Sequence, residues 1–371
     1  MKPNIILVLL DGSRWDRLHI SSDLMMLSEK GTLLNNVTTV APYTFASVNG
    51  IFTGLYGKEN GVNAYYKMFK LKESAEFLPE ILKKNGYVTS CNLISDKVIS
   101  SRGFDIYQSH NEYEDDLTVT HPQLLKKTFE IAGKKPIFTF LQFSKIHTAT
   151  VSEVLKKYEW NDKTFYEKKD QNLFIYDNAF LTAGKYAKII YDELSKLGKL
   201  SNTIIIFFSD HGTGVGERFG ERNYGVYLFE ETIRTFYLFI GPNITKNEKY
   251  EGLLTTIDIL PTILELCQID QEYILPGKSI SNFLTRQNEK LSAKPFVFSE
   301  TGGLQGPFPS PHEPNVFCIK SSSHKLIYYK GSQEWLLFDL LNDPCEITNL
   351  YGKELEIENK LKQKLLEWIN R

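Results

Sequence analysis

Four short, largely apolar runs, at residues 5–10, 87–93, 137–143 and 203–208, constrain this chain more than any other feature. A strand buried on both faces has no polar side to alternate with, so such runs mark a parallel sheet covered above and below. Helical patterns lie between them, over 78–84 and along 177–197. That alternation implies an α/β fold with a mostly parallel central sheet and helices on both faces. Residues 236–240 fit a further strand. Residues 257–267 fit an apolar helix carrying Pro261 in its first turns, where proline is tolerated.

The pattern changes near residue 285. Beyond it, 297–299, 316–320, 325–329 and 335–339 are short β-type runs separated by Gly, Ser, Asn and Pro, and a charged amphipathic helix spans 353–370. The expected division is a catalytic domain over 1–285 and a C-terminal α+β subdomain over 286–371, a small antiparallel sheet and helix packed on the first. The Gly- and Pro-rich stretch 302–314 predicts an ordered surface loop that can reach over the active site. With 371 residues the chain is long enough for one large α/β domain and such an appendage.

A net charge of -2 implies no general attraction to nucleic acid or to anionic membranes, so an anionic substrate must be drawn in locally, for instance by a metal. The apolar run 5–10 is too short to span a membrane and ends in Asp11-Gly12, which suits a buried strand and not a signal peptide. Cys91, Cys267, Cys318 and Cys345 are scattered, without metal-binding spacing, and fit isolated reduced thiols. A cytoplasmic protein without a membrane span is the expectation; oligomeric state is left open.

In an open parallel sheet, ligands bind beyond the carboxyl ends of the strands. Asp11 stands there after the first run, and Asp210-His211 after the run 203–208. Singly, Asp11 could cap a helix and Asp210 order a turn; together they bring metal-competent side chains to one sheet edge. Thr44 follows Pro42-Tyr43 and leads into an expected helix over 46–53, closed by Gly54. An isolated threonine in that place is usually an N-cap. The same place suits a nucleophile, because a helix amino end favours an alkoxide and a phosphate, and a metal can activate the hydroxyl.

These residues carry a resemblance. Residues 4–18, with Asp11 after the strand, resemble the opening strand and metal aspartate of the sulfatase family within the alkaline phosphatase superfamily. Residues 41–62, with Phe52-Thr53-Gly54-Leu55-Tyr56, resemble its nucleophile segment, and Ser209-Asp210-His211-Gly212 its second metal motif. Glu230–Arg234, Thr256–Thr262 and Phe338-Asp339-Leu340 with Asn342-Asp343-Pro344 are similar to later landmarks, so the resemblance spans nearly the whole chain. It places Thr44 where a sulfatase carries the cysteine or serine that matures to formylglycine. Threonine cannot give that aldehyde. Ala46 and Val48 replace the motif's proline and arginine, and Gly12 replaces a second aspartate.

The resemblance therefore implies the phosphodiesterase or phosphoglycerol-transferase branch, with one divalent ion held by Asp11, Thr44, Asp210 and His211. Three hard oxygens and an imidazole suit Mn²⁺ or Zn²⁺, with Mg²⁺ or Ca²⁺ also compatible. Tyr224 stands where two-metal relatives carry a late histidine. His147 matches the substrate-side histidine, but without a neighbouring carboxylate in the sequence. His147 and Arg14 are candidate catalytic groups, and Arg222, Tyr224 and His312 candidate substrate contacts. Solvated charge is the alternative for Arg14 and Arg222, and an ordinary surface loop for His312. The expected activity is hydrolysis of small-molecule or glycan-linked phosphate esters through Thr44. The alternatives are phosphotransfer to a glycan, or a degenerate site kept for binding.

Overall fold

The structure, a computed structural model, describes residues 2–64, 67, 70–155 (151–155 as backbone), 163–271, 273–286, 294–302 and 312–371. The apolar runs become strands of one nine-stranded sheet: β1 (Asn4–Leu10), β2 (Thr32–Thr38), β3 (Val88–Leu93), β4 (Ile106–Ser109), β5 (Ile137–Phe143), β6 (Thr203–Phe208), β7 (Arg234–Ile240), β8 (Glu248–Tyr250) and β9 (Leu254–Thr255). Their spatial order is β4-β3-β5-β1-β6-β7-β2-β8, with β9 also on β2. From β4 to β6 every pairing is parallel, and β7 runs against both neighbours. This is the mostly parallel α/β sheet expected, and it sets β1 beside β6 so that their carboxyl ends open on one edge.

β1 shows why the sheet is covered on both faces. Ile6, Val8 and Leu10 pack with Leu124, Leu125, Phe180 and Tyr186 from the helices Leu117–Ala132 and Lys169–Lys196. Ile5, Leu7 and Leu9 pack with Phe52, Leu78, Leu82, Leu260 and Ile263 from the helices Thr44–Thr53, Leu78–Lys84 and Ile259–Leu266. The period of two sends alternate side chains to opposite layers. Each buried aliphatic contributes roughly 1.5–3 kcal/mol, which offsets the entropy of ordering the chain.

The differences from expectation have local causes. β2 escapes the apolar-run criterion because Asn35 and Asn36 interrupt it, at the irregularity where its register on β7 shifts between Leu34 and Val37. β4 is half-exposed and carries no apolar signature. The long helix opens at Lys169, ahead of the expected 177, through a polar first turn without apolar period.

After residue 294, β10 (Val297–Thr301), β11 (Val316–Lys320), β12 (His324–Tyr329) and β13 (Glu334–Asp339) form an antiparallel sheet in that order. The helix Glu356–Ile369 lays Leu361, Leu365 and Trp368 against Phe317, Ile319, Leu326 and Leu337, in a cluster that also takes in Val40, Tyr56 and Ile257 of the larger body. The expected boundary near 285 adjoins residues 287–293, and most of the loop expected over 302–314 is residues 303–311; both segments lie outside the described residues. Among the described residues no helix is long and apolar enough to cross a membrane.

Candidate active site

Asp11 directly follows β1 and Asp210 follows β6 by one residue, so strand pairing carries both carboxylates to the same edge. Metal-competent atoms of Asp11, Asp210 and His211 lie within 4.8 Å of one another, and all three residues are buried. Nε2 of His211 is 3.7 Å from Oδ1 of Asp11 and 3.5 Å from Oδ2 of Asp210. Nδ1 of His211 donates to the carbonyl of Gly212 at 2.8 Å, which leaves the lone pair on Nε2, facing the carboxylates.

Each carboxylate is held by one oxygen and offers the other. Oδ2 of Asp11 accepts from Nε2 of Gln142 at 2.7 Å, and Oε1 of Gln142 accepts from the Ile94 amide at 3.1 Å. Oδ1 of Asp210 accepts from the amides of Gly12 and His211 at 3.3 and 2.9 Å. Oδ2 of Asp210 is buried, with no hydrogen-bond partner among the described residues. Gly12 lies at φ +72°, and a Cβ there would meet Oγ1 of Thr213 at 2.9 Å. A second aspartate at this position would therefore strain the turn.

Burial pushes both carboxyl groups up, Asp11 to about 6 through desolvation and then the Asp210 charge, and Asp210 to about 6 through desolvation. Two crowded carboxylates with an orphaned oxygen and an outward imidazole lone pair are what a divalent cation would relieve. The residues fit such an ion, and nitrogen in the donor set suits a transition metal or zinc.

Thr44 completes the group. Its Oγ1 is 3.2 Å from Nε2 of His211 and 3.5 Å from Oδ1 of Asp11. The helix begins at Thr44 itself, with Tyr43 in the cap position and no side-chain cap bond. The N-cap alternative for Thr44 is thus corrected: the residue is the first helical one, and its hydroxyl faces the carboxylates instead of the backbone.

The other candidates divide. Tyr224 is buried with its ring centroid 4.5 Å from that of His211 and 6.2 Å from that of His147, between the two imidazoles. His147 lies in the first turn of the helix Lys145–Leu155, close enough for its charge to lower the Asp11 carboxyl. The carboxylate that its sequence neighbourhood lacks comes from Glu112, whose Oε2 is 3.1 Å from Nδ1 of His147. Sequence patterns carried no signal for Glu112, which stands in a polar turn before the helix Leu117–Ala132.

Arg14 is neither a solvated charge nor an open substrate contact. Nε and Nη2 donate to Asp16 at 2.9 Å each, and Nη1 donates to the Thr213 carbonyl and to Glu217 at 3.1 and 2.5 Å. The expectation of a catalytic Arg14 is corrected accordingly: its fork is committed to two carboxylates. The surface-charge alternative for Arg222 also fails, since Arg222 is buried with its guanidinium 5.4 Å from the Phe165 ring centroid. His312 is exposed, beside Glu313, which pairs with Lys67.

A hydroxyl, two carboxylates and an imidazole thus converge at the strand ends of the sheet. The chain belongs to the sulfatase family: the family model described as Sulfatase matches residues 3–269, and that described as N-sulphoglucosamine sulphohydrolase, C-terminal, matches residues 221–371. The chain is 30% identical over 215 residues to arylsulfatase K of Bos taurus, covering 56% of this chain and 38% of that protein. It is 29% identical over 165 residues to an arylsulfatase of Clostridium perfringens, covering 43% and 32%. The matched regions thus span well under half of these relatives. Among solved structures, the fold is similar to a 2-O GAG sulfatase (TM-score 0.85, 17% identity, covering 100% of this chain and 92% of that one). It is also similar to a phosphonate monoester hydrolase from Silicibacter pomeroyi (TM-score 0.77, 14% identity, 100% and 95% covered).

Proposed function

We propose that the protein is a metal-dependent hydrolase of phosphate mono- or diesters, acting through a covalent intermediate on Thr44. The names of its relatives by themselves point to sulfate esters. What argues for phosphorus is one observation: the hydroxyl at the focus of Asp11, Asp210 and His211 belongs to a threonine, which no oxidation converts to formylglycine. An unmodified hydroxyl can displace at phosphorus.

Asp11, Thr44, Asp210 and His211 would hold the ion, with Mn²⁺ or Zn²⁺ favoured by the donor set. When bound, a divalent ion offsets charge developing on the phosphoryl oxygens and depresses the pKa of a neighbouring hydroxyl. The residues supply the rest. Thr44 opens a helix, so its oxygen sits at a positive helix end. Oγ1 of Thr44 bonds to phosphorus and releases its proton to water as the ester P–O bond breaks. His147 protonates the departing oxygen, then takes a proton from the water that attacks the phosphothreonine. The P–Oγ1 bond breaks, and Thr44 regains its proton from solvent. Tyr224 packs its ring beside His211, 4.5 Å between ring centroids.

One structural neighbour was solved with its substrate, a sulfated glucosamine, which makes a glycan-linked ester a natural substrate to test. The test is a panel of aryl phosphate, phosphodiester, phosphonate and sulfate esters with added Mn²⁺ or Zn²⁺. Phosphorus esters should turn over faster than the sulfate. Faster sulfate cleavage by the homogeneous, unmodified protein contradicts the proposal.

A further inference from the structure

Four successive parallel strands, β4, β3, β5 and β1, end on the edge that carries the metal-competent cluster, and polar side chains tie those ends together. Asp11 directly follows β1, Ser144 directly follows β5, Asn92 lies in β3, and His110 directly follows β4. The amide of His110 donates to the Leu93 carbonyl at 2.8 Å, which keeps the turn after β4 against β3. Its imidazole then bridges β3 to β5. Nδ1 of His110 is 2.6 Å from Oδ1 of Asn92, and Nε2 is 2.9 Å from Oγ of Ser144. A second imidazole shares the acceptor: Nε2 of His121 is 3.3 Å from Oδ1 of Asn92, and Nδ1 is 2.5 Å from the hydroxyl of Tyr186. All five side chains are buried.

Oδ1 of Asn92 is a carbonyl oxygen and can only accept, so each imidazole carries its proton on the nitrogen that faces it. His110 is therefore protonated on Nδ1, and its Nε2 accepts from the Ser144 hydroxyl. His121 is protonated on Nε2, and its Nδ1 accepts from Tyr186. Desolvation keeps both rings neutral, holding His110 down to about 4 and His121 down to about 3.

The His110 bridge spans the same strand ends as the support of Asp11. Gln142, two residues before Ser144 on β5, donates to Asp11 and accepts from the amide of Ile94, two residues after Asn92. His110 thus closes β3 onto β5 beside Gln142, whereas the outer bond of His121 leads away to Tyr186 on the helix Lys169–Lys196. We infer that His110 is a positioning residue for the metal site: by clamping Asn92 to Ser144 it fixes Gln142, and through Gln142 the carboxylate of Asp11. The inference rests on the reading of Asp11, Asp210 and His211 as metal ligands.

Mn²⁺ binding to the full chain, measured by titration calorimetry alongside urea unfolding, tests the clamp without any substrate. His110→Phe removes both of its bonds and should raise the Kd by about tenfold, as expected for a group that orients a metal ligand through another. Ser144→Ala, a smaller change that deletes one hydroxyl, should raise it by about threefold or more. His121→Phe disturbs the same buried cluster and should lower the urea midpoint while leaving the Kd unchanged. Long-range proton–nitrogen spectra of the wild-type imidazoles should show His110 protonated on Nδ1 and His121 on Nε2. Equal rises in Kd for His110→Phe and His121→Phe would show a merely structural cluster and overturn the inference. An unchanged Kd in both His110→Phe and Ser144→Ala would overturn it too, as would a His110 protonated on Nε2. A wild type that binds no Mn²⁺ would sink the parent reading instead, so the two failures are distinguishable.

Discussion

The hydroxyl of Thr44 lies 3.2 Å from Nε2 of His211, across 167 positions of sequence. The contact exists because β1 and β6 are neighbours in the sheet and the helix Thr44–Thr53 begins at the position where their loops converge. It joins a nucleophile candidate to the metal-competent cluster.

If that cluster holds an ion, the ion should stabilise the native state. A ligand that binds only the folded chain adds about 2.7 kcal/mol at a hundredfold excess over its Kd. Mn²⁺ or Zn²⁺ should therefore raise the melting temperature of wild type, and His211→Ala should remove most of the increment. Gln142→Leu should weaken affinity by about 10–100-fold, because it releases the oxygen of Asp11 that points away from the cluster. An increment unchanged in both variants would place the ion elsewhere.

Arg14 is expected to matter for stability and not for substrate affinity. Arg14→Ala strands Asp16 and Glu217, and breaking such a sheltered pair costs about 3 kcal/mol. Denaturant unfolding should show the loss, with KM for the best substrate nearly unchanged. Intact stability with a raised KM would return Arg14 to the substrate.

The contrast between Arg14 and Asp11 shows what the sequence could reveal. Asp11 and Asp210 were legible because each follows a buried apolar run, and run, turn and acidic residue are contiguous. The partners of Arg14 and His147 were not, because Glu217 and Glu112 come from polar turns that carry no periodic signal. Thr44 was legible as the start of a helix, but its hydroxyl's direction depended on Tyr43 taking the extended cap conformation, φ -157°. The central sheet followed from apolar runs, whereas β2, broken by two asparagines, is positioned only by its pairing with β7.

Glu300 gives a pH prediction away from the active site. It is 4% exposed, Oε1 has no hydrogen-bond partner among the described residues, and desolvation raises the carboxyl from 4.5 to about 7. The folded value exceeds the unfolded one. The stability that Glu300 contributes is therefore complete below pH 4.5 and is lost as pH rises through about 7. Glu300→Gln lacks this titration and should gain on wild type by up to about 3 kcal/mol between about pH 5 and about pH 8. Urea unfolding at both values measures it; a difference independent of pH contradicts the burial argument.

The central claim is that Thr44 attacks phosphorus. Its most direct measurement is rapid quenching during turnover of a slow aryl phosphodiester, followed by mapping of covalent phosphate in wild type, Thr44→Ser and Thr44→Ala. Phosphate should appear on Thr44, appear on the serine of the active Thr44→Ser variant, and vanish in Thr44→Ala along with turnover. Near-wild-type turnover by Thr44→Ala, with no phosphate trapped on the wild-type residue, would contradict the mechanism.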